Sequence, residues 1–174
     1  AADPASAAAD AATIAGVSKV LAVANPANAQ VLAQVLGPQI AKLATGYSHV
    51  FAPSTTFGKD LMPVVAALLG VNQISDLMTV ESTHVFRRPI YAGNAIATVQ
   101  SSDPIKVITV RGTAFQDAEP TGGSASVTDG ADPNAPAQTE WVSEELSKSE
   151  RPDLATASRV VSGGRGLKSK EEFD

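Results

Sequence analysis

Apolar residues in the first part of the chain form short continuous runs that alternate with longer stretches of helical spacing. Residues 19–24 are one such run, of the kind found in strands that are buried on both faces. Asn25 and Pro26 follow as an N-cap and a first-turn proline, and apolar residues then recur every three or four positions. Pro38 lies within this helical pattern, so we expect it to kink the helix or to restart it after Gly37.

The same order of elements then repeats. Residues 49–53 predict a second strand, and Thr55 or Thr56 is placed to cap a helix that runs through Leu69 and is closed by Gly70. Strands that alternate with helices are typical of a parallel sheet flanked by helices. The first part of the chain therefore predicts an α/β fold.

The rhythm changes after Ile74, where apolar residues occur in shorter stretches separated by polar, glycine or proline turns. The stretches rich in β-forming residues are 77–80, 85–91, 95–100 and 106–111. We expect them to add further strands, some of them antiparallel, to the edge of the sheet.

Residues 117–150 differ in composition from the rest of the chain. They are rich in proline, glycine, serine and aspartate, with eight acidic residues against the single Lys148. Such a segment predicts an extended, partly ordered connector, most clearly at about 116–138. A fresh strand is expected near Ser158. We therefore predict a first domain over residues 1–150 and the beginning of a second domain over 151–174.

Composition narrows the range of possible chemistry. The 174 residues include no cysteine and only two histidines, His49 and His84, which leaves a metal site or a Ser–His hydrolase poorly supplied. The net charge of −5 argues against nucleic acid as the main partner. No apolar run approaches the roughly 20 residues of a membrane span.

The segment 160–169 carries the clearest candidate binding site. Two valines lead into a Ser-Gly-Gly-Arg-Gly turn, and two glutamates follow at a polar helix start. A strand, a tight turn and a helix N-terminus together offer backbone N–H groups to a phosphate, and Arg165 is placed to reach a pyrophosphate. The segment has neither the G-x-G-x-x-G spacing nor a Walker A ending. A glycine-rich connection that binds no ligand remains the alternative on these residues.

Other charged segments have ordinary structural interpretations. Residues 57–60, Phe-Gly-Lys-Asp, open a helix after a strand and could approach a phosphate, but without a P-loop glycine upstream we favour capping and close packing. Arg87 and Arg88 should lie on opposite faces of a strand, with a salt bridge as the commoner outcome. Residues 111–113 end a strand at the edge where α/β proteins usually bind ligands.

The remaining polar candidates give no catalytic pattern. His84 is expected in a solvated turn. Three acidic residues, Asp76, Glu81 and Asp103, show no pairing that would indicate acid–base chemistry.

Five segments in a fixed order carry a family resemblance. They read Ile-Tyr-Ala-Gly-Asn-Ala at 90–95, Val-Arg-Gly-Thr-Ala-Phe at 110–115, Gly-Gly-Ser-Ala-Ser at 122–126, Ser-Glu-Arg-Pro-Asp-Leu at 149–154, and the glycine block at 162–166. From about Ala11 to Asp174 the chain resembles the alpha (large) subunit of electron transfer flavoproteins, namely its N-terminal domain and the start of its FAD-binding domain.

The resemblance implies a three-layer Rossmann-like fold, similar to the adenine nucleotide alpha hydrolases, with added edge strands and truncation at both ends. It implies an electron carrier rather than an enzyme, in which FAD is bound mainly by the second domain. The FAD-binding residues that it indicates in this chain are Arg165, which faces the diphosphate, with Gly164 and Gly166 beside it. The rest of that site would follow Asp174.

Further implications concern partners. The subunit would form a heterodimer with a beta subunit that holds AMP, accept electrons from acyl-CoA and other dehydrogenases of fatty acid β-oxidation, and deliver them to a quinone oxidoreductase. The location would be the bacterial cytoplasm or the mitochondrial matrix. Two alternatives remain: an independent α/β module that binds or hydrolyses an adenine nucleotide, and a scaffold fragment without a ligand.

Overall fold

The computed structural model describes residues 1–130, 139–145, 152–154 and 157–173. The chain divides into two compact units, Ala1–Trp141 and Val142–Asp174. In the first unit, the α-helices are α1 (Ala5–Thr13), α2 (Ala33–Leu43) and α3 (Thr56–Leu69). The strands are β1 (Lys19–Ala22), β2 (His49–Pro53), β3 (Gln73–Leu77), β4 (Thr79–Val80), β5 (Val85–Ile90), β6 (Ala95–Gln100), β7 (Lys106–Val110) and β8 (Ser126–Asp129). The assignment of residues 151–174 to a second domain stays a prediction.

The central feature of the first unit is a parallel sheet in the order β2-β7-β3. Residues 106–111 were expected at the sheet edge, and this expectation was wrong because β7 is the middle strand, paired with β2 on one side and β3 on the other. Its residues from Lys106 to Thr109 are all buried. Such continuous burial is typical of a strand that is covered on both faces and paired along both edges.

Helices α2 and α3 cover one face of this sheet. Leu61, Met62 and Val65 of α3 are almost fully buried, and they share a core with Ala33 of α2 and Val107 of β7. Side chains alternate along a strand, so the next residue, Ile108, points to the opposite face. There it packs with Phe86 of β5 and with two residues of β3.

The antiparallel strands occupy that second face. β4, β5 and β6 form a sheet of their own in that order, rather than extra strands hydrogen-bonded to the parallel sheet. The expected addition to the sheet edge therefore needs correction. The reason is that β5 buries Phe86 against the parallel sheet, and packing face to face hides more apolar surface than pairing at an edge would.

The start of α2 departs from the sequence-based expectation. Asn25 does act as an N-cap, accepting a hydrogen bond from the Ala27 N–H at 2.8 Å, but it caps a 3₁₀ turn over Pro26–Gln30. Val31 then adopts a left-handed conformation with φ of 53°, and α2 begins at Ala33. The restart thus falls well before Gly37, and α2 continues through Pro38.

Close packing explains why α2 tolerates its proline. A Cβ added at Gly37 would lie 2.6 Å from Cγ1 of Val64 on α3, so the two helices meet with no space between them. The burial of this face offsets the backbone hydrogen bond that Pro38 cannot make. Helix α3 matches the expectation from the sequence, with Thr55 as its N-cap and Gly70 in a left-handed conformation as its C-cap.

The acidic segment contains an element that the sequence pattern did not indicate. β8 lies within it and pairs in parallel with β1, from Lys19 opposite Ser126 to Ala22 opposite Asp129. Upstream of β8, the Gly123 N–H donates to the carbonyl of Thr13 at 2.8 Å. The part of the connector at 131–138 lies outside the described residues.

The second unit has little regular structure in its described part. No strand is present near Ser158 or at Val160 and Val161, so the predicted strand is wrong for the described residues, and the expected helix is a 3₁₀ turn over Lys170–Phe173. A strand needs a neighbour to satisfy its backbone groups, and no described strand pairs with these residues.

The fold class itself is confirmed, because parallel strands flanked by helices form the first unit. Among the described residues, no helix has both the length and the apolar character needed to cross a membrane.

Candidate functional site

The carboxyl ends of β2, β7 and β3 meet at one edge of the parallel sheet. Pro53 pairs with Val110, and Val110 pairs with Leu77, so the last residues of the three strands lie side by side. Two backbone hydrogen bonds continue this alignment beyond the strands. The Ser54 N–H donates to the carbonyl of Val110 at 2.7 Å, and the Arg111 N–H donates to the carbonyl of Leu77 at 2.9 Å. This edge is where open α/β sheets bind ligands.

Asp76 lies at this edge in an unusual backbone conformation. The pairing of β3 with β7 shifts between Ile74 and Leu77, and within that bulge Asp76 has a φ of 60°. Its N–H donates to the buried Thr109 hydroxyl at 2.9 Å, which replaces the lost bond of the ladder. Left-handed residues other than glycine cost free energy and concentrate at functional sites. The bulge turns the carboxylate of Asp76 toward the end of β7.

Arg111 pairs with this carboxylate. Its Nε lies 3.2 Å from Oδ1 and 3.1 Å from Oδ2 of Asp76, and its Nη2 makes a further short contact with Oδ2. The hydrogen bond from Arg111 lowers the pKa of Asp76, against the opposing effect of burial, and the nearby Ser54 hydroxyl and Lys59 ammonium lower it further. The same contact raises the pKa of Arg111. Asp76 is therefore a stable carboxylate rather than a proton donor.

The ion pair borders an open cleft of about 480 Å³. The cleft brings together residues from three strand ends and the first turn of α3. They include Pro53, Thr55, Lys59, Asp76, Arg111 and Thr113. The sequence indicated Arg111 at a strand end but not its pairing with Asp76, which lies 35 positions earlier. Only the register of β3 against β7 brings the two together.

The segment 57–60 has the structural role that we favoured. A Cβ at Gly58 would lie 1.9 Å from the carbonyl oxygen of Pro53, so only glycine allows α3 to start this close to the end of β2. The N–H of Gly58 is taken by the Thr55 hydroxyl at 3.3 Å. Capping and close packing therefore account for Gly58, while the side chain of Lys59 lines the cleft.

The remaining charged candidates behave as ordinary structural residues. Arg87 forms a surface ion pair with Glu81 at 3.7 Å, and Arg88 on the other face donates to the carbonyl of Ser75 at 2.7 Å. His84 is exposed in a turn, as expected. The described residues contain no group of histidine and acidic side chains that could hold a metal ion.

The predicted flavin-contact residues lie in the second unit. Gly164 accepts a hydrogen bond from the Leu167 N–H at 3.0 Å, which closes a turn around Arg165. Arg165 is exposed and forms no ion pair in the described part of the chain. A Cβ at Gly164 or Gly166 would meet nothing within 4 Å. Packing among the described residues thus does not require these glycines.

Comparisons with known proteins give a consistent result. Residues 1–135 match the family model described as the electron transfer flavoprotein domain. The chain is 53% identical over 163 residues to the electron transfer flavoprotein subunit alpha of Pseudomonas aeruginosa, which covers 94% of this chain and 53% of that protein. It is 49% identical over 167 residues to the Paracoccus denitrificans subunit alpha, covering 96% and 54%.

A eukaryotic relative is similar over the same span. The mitochondrial subunit alpha of Dictyostelium discoideum is 46% identical over 175 residues, which covers 92% of this chain and 49% of that protein. The chain spans about half the length of the curated relatives that it matches. Since the family model covers well over half of its residues, the chain belongs to the electron transfer flavoprotein family.

Proposed function

We propose that this chain supplies the first α/β domain, and the start of the FAD-binding domain, of the alpha subunit of an electron transfer flavoprotein. The observation that carries the proposal is the agreement of two findings over the same residues. The family model covers residues 1–135, and the relatives named as alpha subunits align with more than nine-tenths of the chain.

When bound, the flavin would supply the redox chemistry, accepting and releasing electrons, and the protein would bind and orient it. The intact protein is thus an electron carrier rather than an enzyme. Within this chain, Arg165 binds the FAD diphosphate through paired N–H donors of its guanidinium. Gly164 and Gly166 allow the diphosphate to approach the backbone. Within the described part of the chain, the open space around both glycines and an exposed guanidinium without an ion pair support this assignment.

The first unit has a structural role in this proposal. Its buried parallel sheet provides a stable platform for the beta subunit, which completes the heterodimer and holds AMP. The assembled protein receives electrons from acyl-CoA and other dehydrogenases and passes them to a quinone oxidoreductase. Its location is the bacterial cytoplasm or the mitochondrial matrix. Four eukaryotic relatives named as mitochondrial support the second possibility, and two bacterial relatives of higher identity support the first.

The flavin contact is tested in the full-length alpha subunit, purified together with its beta subunit. Arg165→Ala should weaken FAD retention by about 10- to 100-fold, because a charge-assisted hydrogen bond contributes about 1.5–3 kcal/mol. Arg165→Lys should recover only part of the loss, since an ammonium keeps the charge but not the paired geometry. Flavin content is read from absorbance near about 450 nm after dialysis, a wavelength characteristic of oxidised flavin.

Arg159→Ala is the matched control, because Arg159 is also an exposed arginine of the second unit. It should retain FAD as the parent does. Equal FAD retention by Arg165→Ala and the parent would refute the diphosphate contact. Failure of the parent complex to cycle its flavin between a dehydrogenase and a quinone oxidoreductase would refute the wider function.

A further inference from the structure

The cleft at the carboxyl ends of β2, β7 and β3 is not used by the proposed flavin contact. Its volume of about 480 Å³ is that of a small-molecule site, and typical sites range over roughly 300–1,000 Å³. None of the residues that line it is among the predicted flavin contacts. The side chains that line it therefore need a separate explanation.

The charges around the cleft do not balance. Asp76 is neutralised by Arg111, which uses its Nε and Nη2 and leaves Nη1 without a hydrogen-bond partner among the described residues. Lys59 lines the same cleft and forms no ion pair in the part of the chain that the structure describes. One carboxylate thus faces two cations, and the cleft carries a surplus positive charge.

Hydroxyl groups complete the polar lining. Thr55 accepts a hydrogen bond from Gly58 N–H, so its own O–H remains available to donate, and Thr113 lies beyond the end of β7. Two cations and hydroxyl donors form the donor set that binds phosphate groups in proteins. The carboxylate of Asp76, held rigidly by the bulge, adds an acceptor for a hydroxyl of the ligand.

We propose that this cleft binds a small phosphate monoester, with Lys59 and the free Nη1 of Arg111 on the phosphate and Asp76 on a ligand hydroxyl. The bidentate contact with Asp76 holds the guanidinium in place before a ligand arrives, which reduces the entropy lost on binding. Among the described residues, the Lys59 ammonium forms no ion pair, and its effect on Asp76 is only a long-range one. Lys59 is therefore the best position for a test.

The experiment uses the full-length subunit in its purified complex and titrates it with inorganic phosphate, ribose 5-phosphate and AMP by calorimetry. Ribose 5-phosphate should bind more tightly than inorganic phosphate, because it also offers hydroxyls to Asp76. Lys59→Gln should weaken the binding of inorganic phosphate and of ribose 5-phosphate by about tenfold or more, because that is the affinity that one charged hydrogen bond contributes. Because the beta subunit holds AMP in the proposed function, AMP binding to the cleft is read only as the part that Lys59→Gln loses relative to the parent. The size of that part, compared with the effect on ribose 5-phosphate, distinguishes a nucleotide from a sugar phosphate as the ligand.

Lys42→Gln is the matched control, since Lys42 is an exposed lysine of α2 outside the cleft lining and the substitution changes the net charge equally. It should leave every affinity unchanged. Thr113→Val provides a second variant and should weaken phosphate binding severalfold. The proposal is overturned if the parent shows no saturable binding, or if Lys59→Gln binds each probe as the parent does. Flavin content stays constant in all variants, which separates this test from that of Arg165.

Discussion

At the residue scale, Asp76 combines features that are rarely found together. It is a non-glycine residue with φ of 60°, it lies in a strand bulge, and it pairs with Arg111, which directly follows the neighbouring strand β7. The buried hydroxyl of Thr109 stabilises the strained backbone, and Arg111 stabilises the side chain. Each contact constrains Asp76, so the conformation persists despite its intrinsic cost.

We expect Asp76→Asn to lower the stability of the first unit at neutral pH. The pKa of Asp76 is below its ordinary value of 3.8, so the ionised carboxylate stabilises the fold fully above about pH 5. This contribution is lost as the pH falls through the unfolded value and then through the lower folded value. Denaturant unfolding at several pH values should therefore show a difference between parent and variant that shrinks in acid.

The control for this prediction is Asp10→Asn, which removes an exposed carboxylate on α1. It should change neither the stability at neutral pH nor its pH dependence. If the parent and Asp76→Asn differ by the same amount at pH 7 and pH 2.5, the ion pair with Arg111 does not stabilise the fold through the charge of Asp76.

At the element scale, the sequence predicted correctly those helices and strands whose bounds are set by residues close to them in the chain. The bounds of β2 and the caps of α3 follow from residues within a few positions, because Thr55 and Gly70 act on the backbone next to them. The central place of β7 has no local signal. Its pairing with β2 joins residues more than fifty positions apart, and the apolar pattern of a strand does not specify its neighbours.

The same limit applies to the candidate site. The sequence placed Arg111 at a strand end, since a strand and a turn residue are local features. It gave no indication of the bulge at Asp76, which depends on how β3 fits against β7. In the glycine block at 162–166 the composition suggested a strand and a helix, but regular structure depends on packing partners that the described residues do not supply.

Contact between α2 and α3 gives a prediction at this scale. Gly37→Ala should destabilise the protein by about 1–3 kcal/mol, because the new methyl overlaps the side chain of Val64. Val64→Ala removes the overlapping atoms at the cost of a small cavity. The double variant should therefore be more stable than the sum of the two single effects implies, by about 1 kcal/mol or more.

Denaturant unfolding of the four proteins measures this coupling. Val71→Ala combined with Gly37→Ala is the control, since Val71 packs on the same core but not on Gly37. That pair should be additive within about 0.5 kcal/mol. Additivity of Gly37→Ala with Val64→Ala would show that the helices separate easily and that close packing does not hold α2 across Pro38.

At the scale of the first unit, the described strands do not form one continuous sheet. β1 pairs only with β8, and β2 pairs only with β7, so each has an edge with no strand beside it in the described part of the chain. An apolar hollow of about 270 Å³ lies next to these edges, lined by Leu21, Leu43, Tyr47 and Phe51 among others. Open strand edges beside apolar surface promote association with other chains.

We therefore expect the 174-residue chain to self-associate at micromolar concentration through the open edge of β2. Phe51 is 53% exposed on that strand, with its ring stacked on His49. Phe51→Lys should weaken self-association by about tenfold or more, because burying a phenylalanine contributes about 1.5–3 kcal/mol. Sedimentation velocity over a concentration series measures the effect.

Tyr91→Ser is the control for this prediction. It removes an aromatic ring that is 80% exposed at the β5–β6 hairpin, and it should leave association unchanged. A parent that stays monomeric throughout, or a Tyr91→Ser effect as large as that of Phe51→Lys, would place the associating surface elsewhere.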